Sequence, residues 1–200
     1  MSWSSGNALT LNAQNNIYIN ASLNGSGTAS LALQYGQGAV ALNNTSTYSL
    51  NNGAQVNLPA GPNFSTLLGS DKVITNYTVI TQLGAQTDAA TAPATATLQG
   101  MALTANLAGN YALGGNIDAA ATAAWNTTGA VSAGFTPIGV EYLTTFSGKF
   151  DGLGHTISNL TINRPNRCLR SRESIEHSNP RKALGFLWTD LCANLSSSGK

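Results

Sequence analysis

The sequence predicts an all-β chain folded as a β-solenoid, and three observations point there. Its strands are very short runs of period-two alternation bounded by Gly and Asn clusters. Similar units return about every 20 residues, as Ala8-Leu9-Thr10-Leu11 and Ser30-Leu31-Ala32-Leu33 do. Asn is abundant at the strand ends, where its amide can satisfy backbone groups or ladder with an Asn of the next coil. The same strands could build a sandwich or a barrel. A solenoid also accounts for a paucity of charge, because each coil buries a thin apolar core against its neighbours.

That paucity is marked. Of 200 residues, nine are Lys or Arg and eight are Asp or Glu, which is 8% charged, against about 25% in ordinary domains. A net charge of +1 leaves no electrostatic footprint for nucleic acid. No apolar run reaches the roughly 18 residues of a membrane helix, so no membrane span is expected. With 42% hydrophobic residues, disorder driven by net charge is also excluded.

Residues 1–60 read as β-helix coils. Leu9 and Leu11 share one face of the first strand, and Ile17 and Ile19 one face of Asn16-Ile17-Tyr18-Ile19-Asn20. Ser30-Leu31-Ala32-Leu33 and Ala39-Val40-Ala41-Leu42 follow. Asn24-Gly25-Ser26-Gly27, Gly36-Gln37-Gly38 and Asn51-Asn52-Gly53 supply the turns. Residues 61–100 read as an irregular segment or extra-helical loop with one strand, Val73 to Ile80; Asp88 to Thr97 is Ala/Thr-rich and reads as a loop. Residues 101–163 regain order as coils, ending in a clean alternation with Ile157, Leu160 and Ile162 as inward candidates.

Beyond Arg164-Pro165 the style changes. Residues 1–163 hold seven of the charges and residues 164–200 the other ten, together with both cysteines. This atypical tail is expected to be helical or disordered. Leu184, Leu187, Trp188, Leu191 and Leu195 fall at helical spacing. The alternative, foreign sequence from a frameshift or a cloning scar, fits the loss of both composition and periodicity better. Met1-Ser2-Trp3-Ser4-Ser5 has neither a basic n-region nor an apolar h-region, so no signal peptide is expected and the chain reads as a piece of a longer protein.

One block carries a family resemblance: Tyr111-x-Leu113, Asn116-Ile117-Asp118-Ala119, Trp125-Asn126, Gly134-Phe135-x-Pro137-Ile138-Gly139, and Phe146-x-Gly148-x-Phe150-Asp151-Gly152-x-Gly154-His155-x-Ile157-x-Asn159-Leu160-x-Ile162. It resembles the module that precedes GLUG repeats in filamentous haemagglutinin-like exoproteins of Gram-negative bacteria. Ala8 to Asn20 is similar to the passenger coils of the same family, and the resemblance covers about residues 3–165. It implies a right-handed parallel β-helix within a secreted, two-partner secretion adhesin at the cell surface. An outer-membrane transporter would be its export partner, and host-surface glycans or proteins its weak, multivalent targets. The family's N-terminal secretion domain is not found in this sequence, and the charged tail stands where GLUG repeats would follow.

Chemistry-bearing residues are few. Asp151 and His155, with Glu141 nearby in sequence, could form an acid/base pair. Asp151-Gly152-Leu153-Gly154 reads better as a turn between coils. Asp118 and Asp151 lack the Arg or Lys cluster of a β-helix lyase. No Gly-x-Ser-x-Gly, phosphate loop or His-Glu-x-x-His occurs. Cys168 and Cys192 could form one disulfide, and His177 alone completes no metal site. The expectation is no catalytic, cofactor-binding or metal-binding residue, and no cofactor. A β-helix enzyme acting on polysaccharide and a truncated, non-functional gene remnant are the alternatives. Asn-x-Ser/Thr triplets occur at Asn20, Asn24, Asn43, Asn44, Asn63, Asn76, Asn126, Asn159 and Asn194. Asn-turn-Thr-strand wording generates such triplets without any glycan being attached.

Overall fold

The computed structural model describes residues 1–39, 42–69, 73–139 and 144–163. It is built of strands, turns and short 3₁₀ segments, with no α-helix among the described residues. The all-β expectation therefore holds. No helix among those residues is long and apolar enough to cross a membrane. Contacts divide the chain into two compact units that do not follow chain order. The first takes Met1–Thr81, Asn110–Gly115 and Leu153–His155. The second takes Gln82–Gly109, Asn116–Gly152 and the described residues from Thr156 on.

In the first unit, alternation does what the sequence implies. The strands are β1 (Ser2–Trp3), β2 (Ala8–Asn12), β3 (Ile17–Ile19), β4 (Leu23–Gly25), β5 (Ser30–Tyr35), β6 (Tyr48–Leu50), β7 (Val56–Asn57), β8 (Gly61–Leu68), β9 (Ile74–Ile80) and β10 (Tyr111–Leu113). Strand β5 buries Leu31, Leu33 and Tyr35 and turns Ser30, Ala32 and Gln34 outward. Strand β3 buries Ile17 and Ile19 around an exposed Tyr18.

The first eight strands pair in parallel with their counterparts further along the chain. β1, β4 and β7 form one ladder, β2, β5 and β8 a second, and β3 and β6 a third. Leu9 faces Leu31, which faces Phe64; Ile19 faces Leu50; Leu23 faces Val56. The step from Leu9 to Leu31 is 22 residues and that from Leu31 to Phe64 is 33. The second is longer because β5 ends at Tyr35 and β6 begins only at Tyr48, whereas β2 ends at Asn12 and β3 begins at Ile17.

Inside these ladders lies one apolar core that includes Ile17, Ile19, Leu31, Leu33, Val56, Phe64 and Val79. Each such side chain contributes about 1.5–3 kcal/mol on leaving water. An aromatic row runs through it: Tyr35 to Tyr48 at 5.5 Å, Tyr48 to Phe64 at 6.5 Å and Phe64 to Tyr77 at 5.0 Å between ring centroids. These tilted and edge-on geometries suit the ring quadrupoles. Leu9 and Leu11, expected inside, are half-buried and pack against the same core.

Two expectations need correction here. Residues 61–100 carry two strands, β8 and β9, not one. Gly61-Pro62-Asn63 has turn composition, yet it opens β8, with an irregular register between Gly61 and Phe64 and a positive φ of 121° at Gly61. Strand β9 then runs antiparallel to β8, and β10 parallel to β9. The expected strand Ala39–Leu42 is not formed at its ends, where Ala39 lies in a bend and Leu42 in an exposed turn. Val40 and Ala41 lie outside the described residues, as does the whole tail 164–200.

The second unit holds β11 (Ile117–Asp118), β12 (Thr127–Thr128), β13 (Val131–Ser132), β14 (Phe150–Asp151) and β15 (Ile157–Ser158). β11 and β15 pair in parallel, with Ile117 facing Ile157. β12 and β13 form a small hairpin. Ile157, Leu160 and Ile162, all expected inside, are only half-buried. The Ala/Thr-rich loop is held by one carboxylate: Asp88 Oδ2 accepts from the Ala85 amide at 3.0 Å and from Thr97 Oγ1 at 2.7 Å.

Candidate functional site

The most developed surface belongs to β3 and β6. Burial of Ile17 and Ile19 forces Asn16, Tyr18 and Asn20 outward, because neighbouring strand residues point to opposite faces. The parallel register sets Tyr18 beside Ser49. It also brings Thr47 and Asn51 next to Asn16 and Asn20. Asn16 Oδ1 accepts from the Thr47 amide at 2.9 Å, and its Nδ2 donates to Tyr18 Oη at 3.0 Å. Asn51 Nδ2 donates to Asn20 Oδ1 at 2.8 Å.

Similar amide pairs cross the other ladders. Asn57 Nδ2 donates to Asn24 Oδ1 at 2.6 Å, and Asn12 Nδ2 to Gln34 Oε1 at 2.7 Å. In the second unit Asn159 Nδ2 donates to Asp118 Oδ1 at 2.9 Å. The amide ladder expected from Asn at strand ends is therefore present.

This surface is uncharged. Residues 1–70 contain no Asp, Glu, Lys, Arg or His side chain. What it offers a partner is amide and hydroxyl hydrogen bonding and one exposed aromatic ring, Tyr18, 61% exposed.

The residues weighed for acid/base chemistry do other things. His155 is buried, and its Nε2 lies 2.9 Å from the Val56 carbonyl. A carbonyl only accepts, so Nε2 carries the proton of the neutral ring. Burial pushes the imidazole below its ordinary value, more than the Val56 contact raises it. Asp118 is held below the usual carboxylate range, first by the Asn159 amide and then by the Ala120 N–H. Both bonds favour the charged form. Asp151 sits in β14. Glu141, Cys168, Cys192 and His177 lie outside the described residues. No group of three or more His, Cys, Asp or Glu able to hold a metal occurs among the described residues.

Among the Asn-x-Ser/Thr positions, Asn20, Asn24, Asn44, Asn63, Asn126 and Asn159 all use their side-chain amides within the protein. Asn43, Asn126 and Asn159 have positive φ, at 66°, 53° and 57°. That is the turn geometry Asn tolerates best after Gly.

Sequence reasoning missed the buried polar staples. Gln99, fully buried, donates Nε2 to the Thr136 carbonyl at 3.0 Å and accepts the Thr136 N–H on Oε1 at 2.9 Å. Its side chain thus pairs with Thr136 as a neighbouring strand would. Thr122 Oγ1 donates to the Ala119 carbonyl at 2.6 Å and accepts the Thr161 N–H at 2.8 Å. Their only trace in the sequence is a lone polar residue within an Ala/Leu-rich stretch.

No family model, curated protein or solved structure matches the chain.

Proposed function

We propose that the chain is part of a secreted or cell-surface filamentous haemagglutinin-like adhesin, coiled as a right-handed parallel β-helix. Its role is attachment to host-surface glycans or proteins through a repetitive neutral surface, with no reaction catalysed. In the full-length protein an outer-membrane transporter partner would carry the chain out.

One observation carries this reading. Strands β1, β2 and β3 pair in parallel with β4, β5 and β6, and β4 and β5 pair in turn with β7 and β8, so similar outward rows recur along the chain. Repetition of a weak hydrogen-bonding row suits avidity, where linked weak contacts gain about 10²–10⁴ over a single one.

The experiment displays the chain on beads and measures retention on epithelial cells, with the free chain as competitor. Dense beads should be retained, while the free chain competes only at far higher concentration. Retention no greater than that of beads carrying an unrelated neutral β-protein would overturn the attachment reading. A crystal structure lacking a continuous coil through β1 to β8 would overturn the β-helix.

A further inference from the structure

We infer that the outer face of β3 and β6 is a binding platform for neutral sugars, with Tyr18 as its stacking ring. The inference rests on the attachment reading for its biological purpose and names the partner class of that surface. It stands structurally on four groups.

The first is the ring. Tyr18 is exposed, yet its backbone is fixed by two buried neighbours, Ile17 and Ile19. Its hydroxyl accepts from Asn16 Nδ2, two residues back on the same face. The far end of the exposed ring is thereby tied back to its own strand. Little entropy remains to be lost when a partner covers it, which is the advantage of a preorganised contact.

The other three are polar. The Asn20–Asn51 pair uses Asn20 Oδ1 and Asn51 Nδ2. Among the described residues this leaves Asn20 Nδ2 as an open donor and Asn51 Oδ1 as an open acceptor. The Ser49 hydroxyl stands one strand over from Tyr18, and strands lie about 4.8 Å apart. An aromatic face flanked by a donor, an acceptor and a hydroxyl matches a pyranose. Such a ring has an apolar C–H face and hydroxyls that both give and accept hydrogen bonds.

Charge selects within the sugars. With no Asp, Glu, Lys, Arg or His in residues 1–70, no charged side chain of this segment offsets the desolvation of a sulfate or carboxylate. Nor does it draw in an anionic glycan from a distance. The partner is a neutral oligosaccharide, and its binding is insensitive to salt.

The test titrates the isotope-labelled full chain with cellohexaose, mannohexaose and a heparin-derived hexasaccharide. Backbone amide shifts are followed at about 0.05 M and about 0.5 M salt. At least one neutral sugar should move the amides of residues 16–20 and 47–51 equally at both salt concentrations. Tyr18→Ala should weaken that binding about tenfold, and Tyr18→Phe by no more than about threefold, since the Phe ring keeps its face. Three results overturn the platform: no response to either neutral sugar, an undiminished response in Tyr18→Ala, or a response to the heparin fragment alone. Cell retention that survives Tyr18→Ala, together with any of these, leaves the attachment reading standing. Sugar binding without cell retention in the wild-type chain overturns the attachment reading and leaves the platform standing.

Discussion

Two buried side chains of the first unit show how much a single position decides. Ile19 is 4% exposed within the apolar core, while Tyr18 beside it is in solvent. Ile19→Asp therefore buries a charge with no partner and should cost about 3–5 kcal/mol in urea denaturation. Tyr18→Asp, one residue away, should change stability by less than about 1 kcal/mol. Similar losses from both would sink the assignment of faces. His155 makes a pH-dependent case. Its folded-state value is lowered by burial, so the unfolded chain takes up the proton first. The contribution is complete above the ordinary imidazole value of about 6.5 and is lost as pH falls below it toward the lowered folded value. The denaturation midpoint should stay level above that point and drop beneath it, and His155→Gln should lessen the drop. An unchanged slope in the variant would remove His155 from the account.

At the scale of the element, the exposed amide pairs add to ladders already held by backbone bonds. Asn51→Ala removes the Asn20 contact from a hydrated surface, so the loss should be modest, about 0.5–1 kcal/mol. A double-mutant cycle with Asn20→Ala should return a coupling of about 0.5 kcal/mol, and a coupling of zero would make the pair ornamental. These pairs were legible in the sequence because Asn recurs where short strands end. The strands β2, β3 and β5 were legible for the same reason, since period two is the direct imprint of a half-buried strand. Strand β8 was not. Its inward residues are Phe64 and Thr66, and a Thr inside breaks the apolar alternation. What holds β8 extended is pairing on both sides, with β5 and with β9, and long-range pairing leaves no local signal. The role of Gly114 is likewise set by contacts distant in the sequence. In the fold, a Cβ there would press on the Leu58 carbonyl and the Val79 side chain, so its smallness serves close packing.

For the whole molecule, the distribution of charge and burial sets where stability resides. The seven charges of residues 1–163 begin at Asp71, so the first three ladders are held by apolar burial, backbone bonds and neutral amides. Such a structure gains little from ion pairs and loses little to salt. The neutral composition was visible at once, and so was the class of fold. The units were not, because Tyr111–Leu113 joins β9 from 33 residues away and Leu153 packs into the core of the first unit. Contacts of that span depend on which distant strands pair. Local opening should follow the same map. Strand β5 is paired on both sides and buries Leu31 and Leu33 almost completely, so its amides should open only with the whole first unit. The β12–β13 hairpin is nearly all exposed and, among the described residues, forms a sheet of just these two strands, so it should open at a small fraction of that free energy. Native-state hydrogen exchange should rank the amides of residues 31–35 slowest and those of 127–132 among the fastest. Equal protection in the two stretches would mean that stability is not concentrated in the parallel ladders, and would remove the physical basis for treating them as the scaffold of the surface.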